Sequence, residues 1–132
     1  MLLVAADSPL AARETAPPLR ELRGLSLIGW RSVRDMEELL RGRIPEVDFV
    51  FRTDDNYTMM GLVAAGVGAA VVPGLVVDPN AENIAALPFG TRVPPRVIAL
   101  AWHRDRYRSD AARAFVETAQ EVVGELAPAP AA

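Results

Sequence analysis

Apolar and polar positions are arranged along this chain so that strands and helices are predicted in turn. Short apolar runs that end at Pro, Gly or Asp are typical of buried strands. Such runs predict strands at Leu2–Ala6, Leu25–Gly29, Val47–Phe51, Ala69–Val72, Ile84–Leu87 and Val97–Trp102. Apolar residues spaced by three and four indicate amphipathic helices. This spacing predicts helices at Arg34–Arg43, from Asp54 or Asp55 to about Ala65, and at Asp110–Leu126, with a short helical piece near Leu19–Leu22.

Strands that alternate with helices are typical of a three-layer α/β fold built on a mostly parallel sheet. In such sheets ligands bind beyond the carboxyl ends of the strands. Loops that directly follow predicted strands are therefore candidate ligand-binding segments. They are Asp7-Ser8, Gly29-Trp30-Arg31-Ser32, Thr53-Asp54-Asp55-Asn56 and Pro73-Gly74.

A Gly-x-Gly arrangement at Gly66 and Gly68 raises the alternative of a nucleotide-binding loop. A dinucleotide fingerprint leaves a strand and opens a helix, whereas here a predicted helix ends and a strand begins. Val71 stands where the third glycine of that fingerprint would be. We therefore interpret Gly66 as the left-handed residue just past a helix, and Gly68 as part of the turn into the next strand.

Composition removes several classes of function. The 132 residues are 51% hydrophobic, which suits one globular domain. A net charge of −3 gives no basic field for gathering nucleic-acid phosphates, and all 14 basic residues are Arg. There is no Cys, and His103 is the only histidine, so a zinc site built by this chain alone is not expected. No stretch of the sequence reaches membrane-spanning length, and cytoplasmic residence is the expected location.

The segment Leu62–Pro73, with Thr58 one turn upstream, resembles the effector-binding domain of LysR-type transcriptional regulators. Leu3–Ala11 is similar to the family's strand followed by a "His-Pro-Leu-Ala" segment, with Ser8 in place of the frequent His. Arg96–Trp102 with Arg104 resembles the returning strand, and Ala111–Val116 the start of the final helix. The resemblance covers nearly the whole chain, and the helix-glycine-strand-proline order is its most specific part.

The resemblance implies a type 2 periplasmic-binding-protein-like lobe, together with the strand and helix that return to a first lobe. Residues 1–126 would then be a partial effector-binding domain, and residues 127–132 a disordered Ala/Pro tail. The winged helix-turn-helix and the early half of the first lobe have no counterpart in this sequence. The implied function is the sensing of a small-molecule effector that controls transcription in the full-length regulator.

In such regulators the effector binds between the two lobes. By position, Gly29, Trp30, Arg31 and Ser32 are the best candidates for this lobe's contribution. Trp30 would form an apolar wall, and Arg31 would pair with a carboxylate of an anionic metabolite. Thr53, Asp54 and Asn56 precede a helix whose free N–H groups would point into the cleft, although helix capping is the simpler role for Asp54. Ser8 is a further candidate, unless its side chain only organises the turn before Pro9.

Other functions remain open at this point. A solute-binding protein or an enzyme built on the same two-lobed fold is the alternative, and a fragment that binds nothing alone is a third possibility. No export signal, nucleophile-base pair or Gly-x-Ser-x-Gly elbow is visible. We therefore expect no catalysis, no cofactor and no metal, and we expect His103 to be a surface loop residue.

The last predicted helix carries an apolar stripe that has no obvious cover. Its members recur at spacings of three, four and seven: Phe115, Ala119, Val122, Val123 and Leu126. Arg113, Glu117, Gln120 and Glu121 lie on the opposite side. In the family this helix packs on the first lobe. We therefore expect this chain to cover the stripe by forming a homodimer.

Overall fold

A computed structural model describes residues 1–44, 46–78, 80–90, 93–94 and 97–126 of the chain. By their internal contacts the residues divide into two units, 1–96 and 97–132. Each unit is described by itself below. The predicted tail at residues 127–132 lies outside the described residues.

The first unit is built on a five-stranded sheet in the order β3-β2-β4-β1-β5. Its strands are β1 (Leu2–Ala5), β2 (Ser26–Gly29), β3 (Asp48–Arg52), β4 (Ala69–Val71) and β5 (Ile84–Leu87). Its helices are α1 (Arg34–Arg41), α2 (Asn56–Ala64) and the 3-10 helices Leu19–Leu22 and Gly74–Val76. The predicted ends of these strands and α-helices differ from the observed ends by at most two residues.

The sheet is mixed, which corrects the prediction of a mostly parallel sheet. β2 runs parallel to β3 and β4, as expected for strands linked by helices. β1 runs antiparallel to both of its neighbours, with Leu2 opposite Val71 and Leu87. The carboxyl ends of β2, β3, β4 and β5 therefore meet the amino end of β1 at one edge of the sheet, which we call the carboxyl edge.

Helices cover the two faces of this sheet, so the predicted three-layer α/β architecture is confirmed. Alternate residues of β1 point to opposite faces, as the pleat requires. Leu2 and Val4 pack with Leu40 of α1 in one apolar cluster. Leu3 packs with Met59 and Val63 of α2 in the other.

The connection from α2 to β4 settles the interpretation of the Gly-x-Gly segment. Gly66 has a φ of +72°, follows the end of α2, and donates to the carbonyl of Val63 at 2.9 Å. Val67 donates to the carbonyl of Leu62 at 3.0 Å, which completes a Schellman motif. A Cβ at Gly68 would lie 2.7 Å from the backbone oxygen of Ser26, so glycine permits the close approach of β4 to β2. Both glycines therefore have structural roles.

The second unit contains one long helix, α3 (Asp110–Leu126), with the predicted bounds. Ser109 caps it, since the Ser109 hydroxyl accepts from the N–H of Ala112 at 3.2 Å. The strand predicted at Val97–Trp102 is absent, because no described strand pairs with it. Val97 and Ile98 are 84% and 72% exposed. An alternating apolar pattern predicts an extended segment but cannot supply the neighbouring strand that a sheet needs.

Among the described residues, no helix is both long enough and apolar enough to cross a membrane.

Candidate functional site

Two of the predicted ligand-binding loops are neighbours at the carboxyl edge of the sheet. β2 and β3 are adjacent and parallel, so the loops that follow them leave the sheet side by side. The N–H of Thr53 donates to the carbonyl of Gly29 at 3.1 Å, which continues the pairing one step past the strands. Thr53 is the one buried polar residue among those described, at 7% exposure. The structure thus brings together the candidates from 29–32 and 53–56.

Asp54 joins these two loops through Ser32. One carboxylate oxygen of Asp54 accepts from the Ser32 N–H at 2.8 Å, and the other accepts from the Ser32 hydroxyl at 2.6 Å. These hydrogen bonds favour the ionised carboxylate and hold the pKa of Asp54 below its usual range, with a further contribution from the nearby charge of Arg31. Asp54 therefore joins the two loops, and the prediction that it caps the helix is wrong.

Asp55 is the residue that caps α2. Its Oδ1 accepts from the N–H of Thr58 at 2.6 Å, and this bond is the main cause of the lowered pKa of Asp55. The Thr53 hydroxyl accepts from the Asp55 N–H at 3.0 Å and so holds the turn that leads into the helix. The sequence left open whether Asp54 or Asp55 caps the helix, and in the structure the cap is Asp55.

Asn56 presents an unused acceptor beside a pocket of about 280 Å³. Its Oδ1 is buried and has no hydrogen-bond partner among the described residues. Buried polar atoms are nearly always satisfied in native proteins, so an unpaired one invites a donor from outside the chain. The lining of the pocket is completed by Tyr57, Met60, Leu75, Val76, Val77 and Asp78.

Trp30 and Arg31 have different environments. Trp30 is half-buried and packs against the apolar cluster on the α2 side of the sheet. Arg31 is exposed. Both line a second cleft, of about 380 Å³, whose wall is otherwise formed by α1 and the end of β3. The indole therefore packs on the core and also lines the cleft.

Gly29 is buried and has a packing role. A Cβ at this position would overlap the carboxylate of Glu37 and lie 2.8 Å from Cδ1 of Phe49. The absence of a side chain lets Glu37 lie over the end of β2, where it pairs with Arg52 at 2.8 Å and 3.2 Å. Spacing along the chain does not indicate this pair, in which the Glu37 side chain is only 12% exposed.

Ser8 does not belong with the other candidates, and this is a correction. In a mostly parallel sheet, β1 would run parallel to its neighbours and Ser8 would lie beside the other candidate loops. Because β1 is antiparallel, the residues after Ala5 leave the sheet at the edge opposite to Trp30 and Thr53. The Ser8 hydroxyl accepts from the N–H of Leu10 at 3.3 Å, so it organises its own turn.

His103 lies in an exposed part of the second unit, where its Nδ1 accepts from the N–H of Asp105 at 3.2 Å. The expectation of a surface loop residue is confirmed. Within the described part of the chain, no group of three His, Cys, Asp or Glu residues could hold a metal ion.

Comparison with known proteins identifies the family. Residues 1–124 match the family model described as LysR substrate binding domain. The chain is 29% identical over 113 residues to an uncharacterized HTH-type transcriptional regulator, YybE, of Bacillus subtilis. That match covers 83% of this chain and 38% of the relative, so the chain spans well under half of the relative's length.

Two solved structures share the fold. HinK, a LysR family transcriptional regulator from Pseudomonas aeruginosa, is 19% identical with a TM-score of 0.75, over 96% of this chain and 45% of that one. The effector-binding domain of QuiR in complex with shikimate is 19% identical with a TM-score of 0.64, over 94% of this chain and 60% of that one. The chain belongs to the LysR substrate binding domain family, and it has the periplasmic-binding-protein-like fold.

Proposed function

We propose that this chain is the effector-sensing part of a LysR-type transcriptional regulator, and that it binds a small molecule at the carboxyl edge of its sheet. The observation that carries the proposal is the pair of loops after β2 and β3, fastened together by the two Asp54–Ser32 hydrogen bonds. Fixed loops of this kind keep ligand-binding groups in place before the ligand arrives. Two relatives support the proposal: YybE is named a transcriptional regulator, and the QuiR domain is seen with shikimate.

Three side chains at this edge are assigned to effector contact. Trp30 provides an apolar wall, and its partial packing on the core keeps the ring in place. Arg31 is exposed, and its guanidinium suits a carboxylate in bidentate geometry. Oδ1 of Asn56 accepts from a hydroxyl or amine of the ligand. An anionic metabolite suits the cleft that Trp30 and Arg31 line, and a hydrogen-bond donor on it would have to reach the neighbouring pocket that Asn56 lines.

In the whole regulator, residues 1–126 form part of a two-lobed effector domain, and residues 97–126 supply the segment and the helix that return to the first lobe. The effector then lies between the lobes and favours one lobe arrangement by binding it more tightly. That preference is coupled to DNA binding, which this part of the chain does not itself perform. A cytoplasmic location follows from this role.

Catalysis is not part of the proposed function. The relatives are named as regulators, and the one hydroxyl–carboxylate contact described at the site, Ser32 with Asp54, joins two loops. A solute-binding or enzymatic role on the same fold stays the alternative. Turnover of a substrate by the purified chain, lost in His103→Ala, would favour the enzymatic alternative.

Calorimetric titration with a panel of hydroxylated carboxylates, beginning with shikimate, tests the proposal. We expect at least one member to bind, and Trp30→Ala and Arg31→Ala to weaken its binding by about tenfold or more, which corresponds to about 1.4 kcal/mol. Arg20→Ala is the matched control, because Arg20 is an exposed arginine on the 3-10 helix Leu19–Leu22, away from both loops. Circular dichroism checks that each variant is folded. Equal affinities for wild type and both site variants would refute the assignment.

A further inference from the structure

The cleft of about 380 Å³ beside α1 has an unusual concentration of positive charge. It is enclosed by the β2–α1 loop, one face of α1 and the end of β3. We call it the arginine cleft, and its lining consists of Trp30, Arg31, Arg34, Glu37, Arg41 and Arg52. The whole chain has a net charge of −3, so this cationic lining is a local feature.

Most of this positive charge is not neutralised within the cleft. Glu37 is the only carboxylate in the lining, and it forms a two-point pair with Arg52 through Nε at 2.8 Å and Nη2 at 3.2 Å. Removing that pair from four arginines leaves Arg31, Arg34 and Arg41 around the same space, of which Arg31 also lies near the Asp54 carboxylate. Among the described residues, neither Arg34 nor Arg41 forms an ion pair.

Two of the arginines, Arg41 and Arg52, are also held in position. Arg34, Glu37 and Arg41 are spaced by three and four residues, so they lie on one face of α1. The Phe49 ring of β3 contacts two guanidinium groups, those of Arg41 at 5.0 Å and Arg52 at 5.4 Å from its centroid. Such cation–π contacts and the Glu37 pair restrict side chains that would otherwise move freely in solvent.

We propose that the arginine cleft binds a small multivalent oxyanion, either a polycarboxylate or a phosphate. Planar guanidinium groups match the geometry of carboxylate and phosphate oxygens, and several cations around one space repel one another until an anion lies between them. A volume of about 380 Å³ accommodates a compact metabolite. The site adjoins the proposed effector site through Trp30 and Arg31 but depends on Arg34 and Arg41, which have no role in the proposed function.

Calorimetric titration of the chain with citrate, inorganic phosphate and acetate at low ionic strength tests this site. We expect citrate or phosphate to bind at least about tenfold more tightly than acetate, and the better of the two identifies the anion class. The double variant Arg34→Gln/Arg41→Gln should weaken that binding by about tenfold or more. Arg20→Gln/Arg104→Gln removes the same charge from exposed positions outside the cleft, and its affinity should stay within about twofold of wild type.

Two results would overturn the proposal. One is that neither citrate nor phosphate binds more tightly than acetate. The other is that the two double variants lose equal affinity, which would mean that only the net charge of the chain matters. The two experiments are distinguished by their variants, because Arg34 and Arg41 belong only to the cleft, whereas Trp30 and Arg31 belong to both sites. A loss of binding confined to Trp30→Ala and Arg31→Ala would support the proposed function without the cleft.

Discussion

At the scale of single residues, the candidate site depends on short links between loops that are distant in sequence. Ser32 and Asp54 are 22 positions apart, yet two hydrogen bonds of 2.6 Å and 2.8 Å join them. Glu37 and Arg52 are 15 positions apart and form the second such link. Neither pairing can be inferred from spacing along the chain, because each depends on β2 and β3 being neighbours in the sheet. The sequence identified the loops but not what holds them together.

The buried glycine at the end of β2 gives the first prediction. Gly29→Ala should destabilise the fold by about 1–3 kcal/mol, because the new Cβ overlaps the Glu37 carboxylate and approaches Phe49. Urea unfolding measures the change. Gly61→Ala is the matched control, since Gly61 lies in α2 with open space around it, and alanine there should be neutral or stabilising by up to about 1 kcal/mol. A Gly29→Ala protein as stable as wild type would show that Glu37 can move without cost.

The two aspartates of the β3–α2 loop give a pH prediction. The pKa values of Asp54 and Asp55 are lowered in the folded protein by hydrogen bonds to Ser32 and Thr58. Groups of this kind contribute stability that is fully present above the unfolded pKa, near pH 4. That contribution is lost as the pH falls through the lowered folded value. Urea midpoints measured from pH 7 down to pH 3 should therefore decrease below about pH 4 more steeply for wild type than for Asp54→Asn/Asp55→Asn. Parallel curves for the two proteins would contradict this prediction.

At the scale of elements, local patterns predict where strands and helices occur better than how strands run. The apolar runs at β1, β2 and β4 are buried as expected, and α3 has the predicted bounds. The direction predicted for β1 was wrong, because the pattern of apolar residues is the same whichever way a strand runs. That error moved Ser8 to the wrong edge of the sheet. The strand prediction at Val97–Trp102 was wrong for a related reason, since a strand needs a pairing partner that a local pattern does not specify.

The end of α2 supplies the element-scale prediction. Gly66 adopts a φ of +72° and closes a Schellman motif with Val63 and Leu62. Gly66→Ala should lower the free energy of unfolding by about 1–2 kcal/mol, because a Cβ disfavours the left-handed conformation. Chemical denaturation tests this, with Gly61→Ala in the same helix as the control for glycine replacement itself. If Gly66→Ala is no less stable than wild type, α2 must end in another way.

At the scale of the whole molecule, the second unit exposes several large apolar side chains on its helix. In α3, Phe115 is 63% exposed, Val122 45% and Val123 61%. The segment before it exposes Ile98 and Trp102 as well, at 72% and 53%. Several large apolar side chains exposed along one helix mark a contact face. In the proposed full regulator that face packs on the first lobe, whereas this chain in isolation must cover it in another way.

We therefore predict that the isolated chain self-associates through the apolar stripe of α3. Burying one large apolar side chain is worth about 1.5–3 kcal/mol, so several exposed ones together favour a two-fold dimer at moderate concentration. Sedimentation equilibrium over a wide concentration range measures this, and Phe115→Asp/Val122→Asp should shift the equilibrium to monomer. Gln120→Asp/Gly124→Asp adds the same charge to the polar side of the helix, so this control should remain dimeric. A monomer at high concentration would refute self-association. A dimer that survives Phe115→Asp/Val122→Asp would place the interface elsewhere, because two buried carboxylates without partners are too costly for a stripe interface to accommodate.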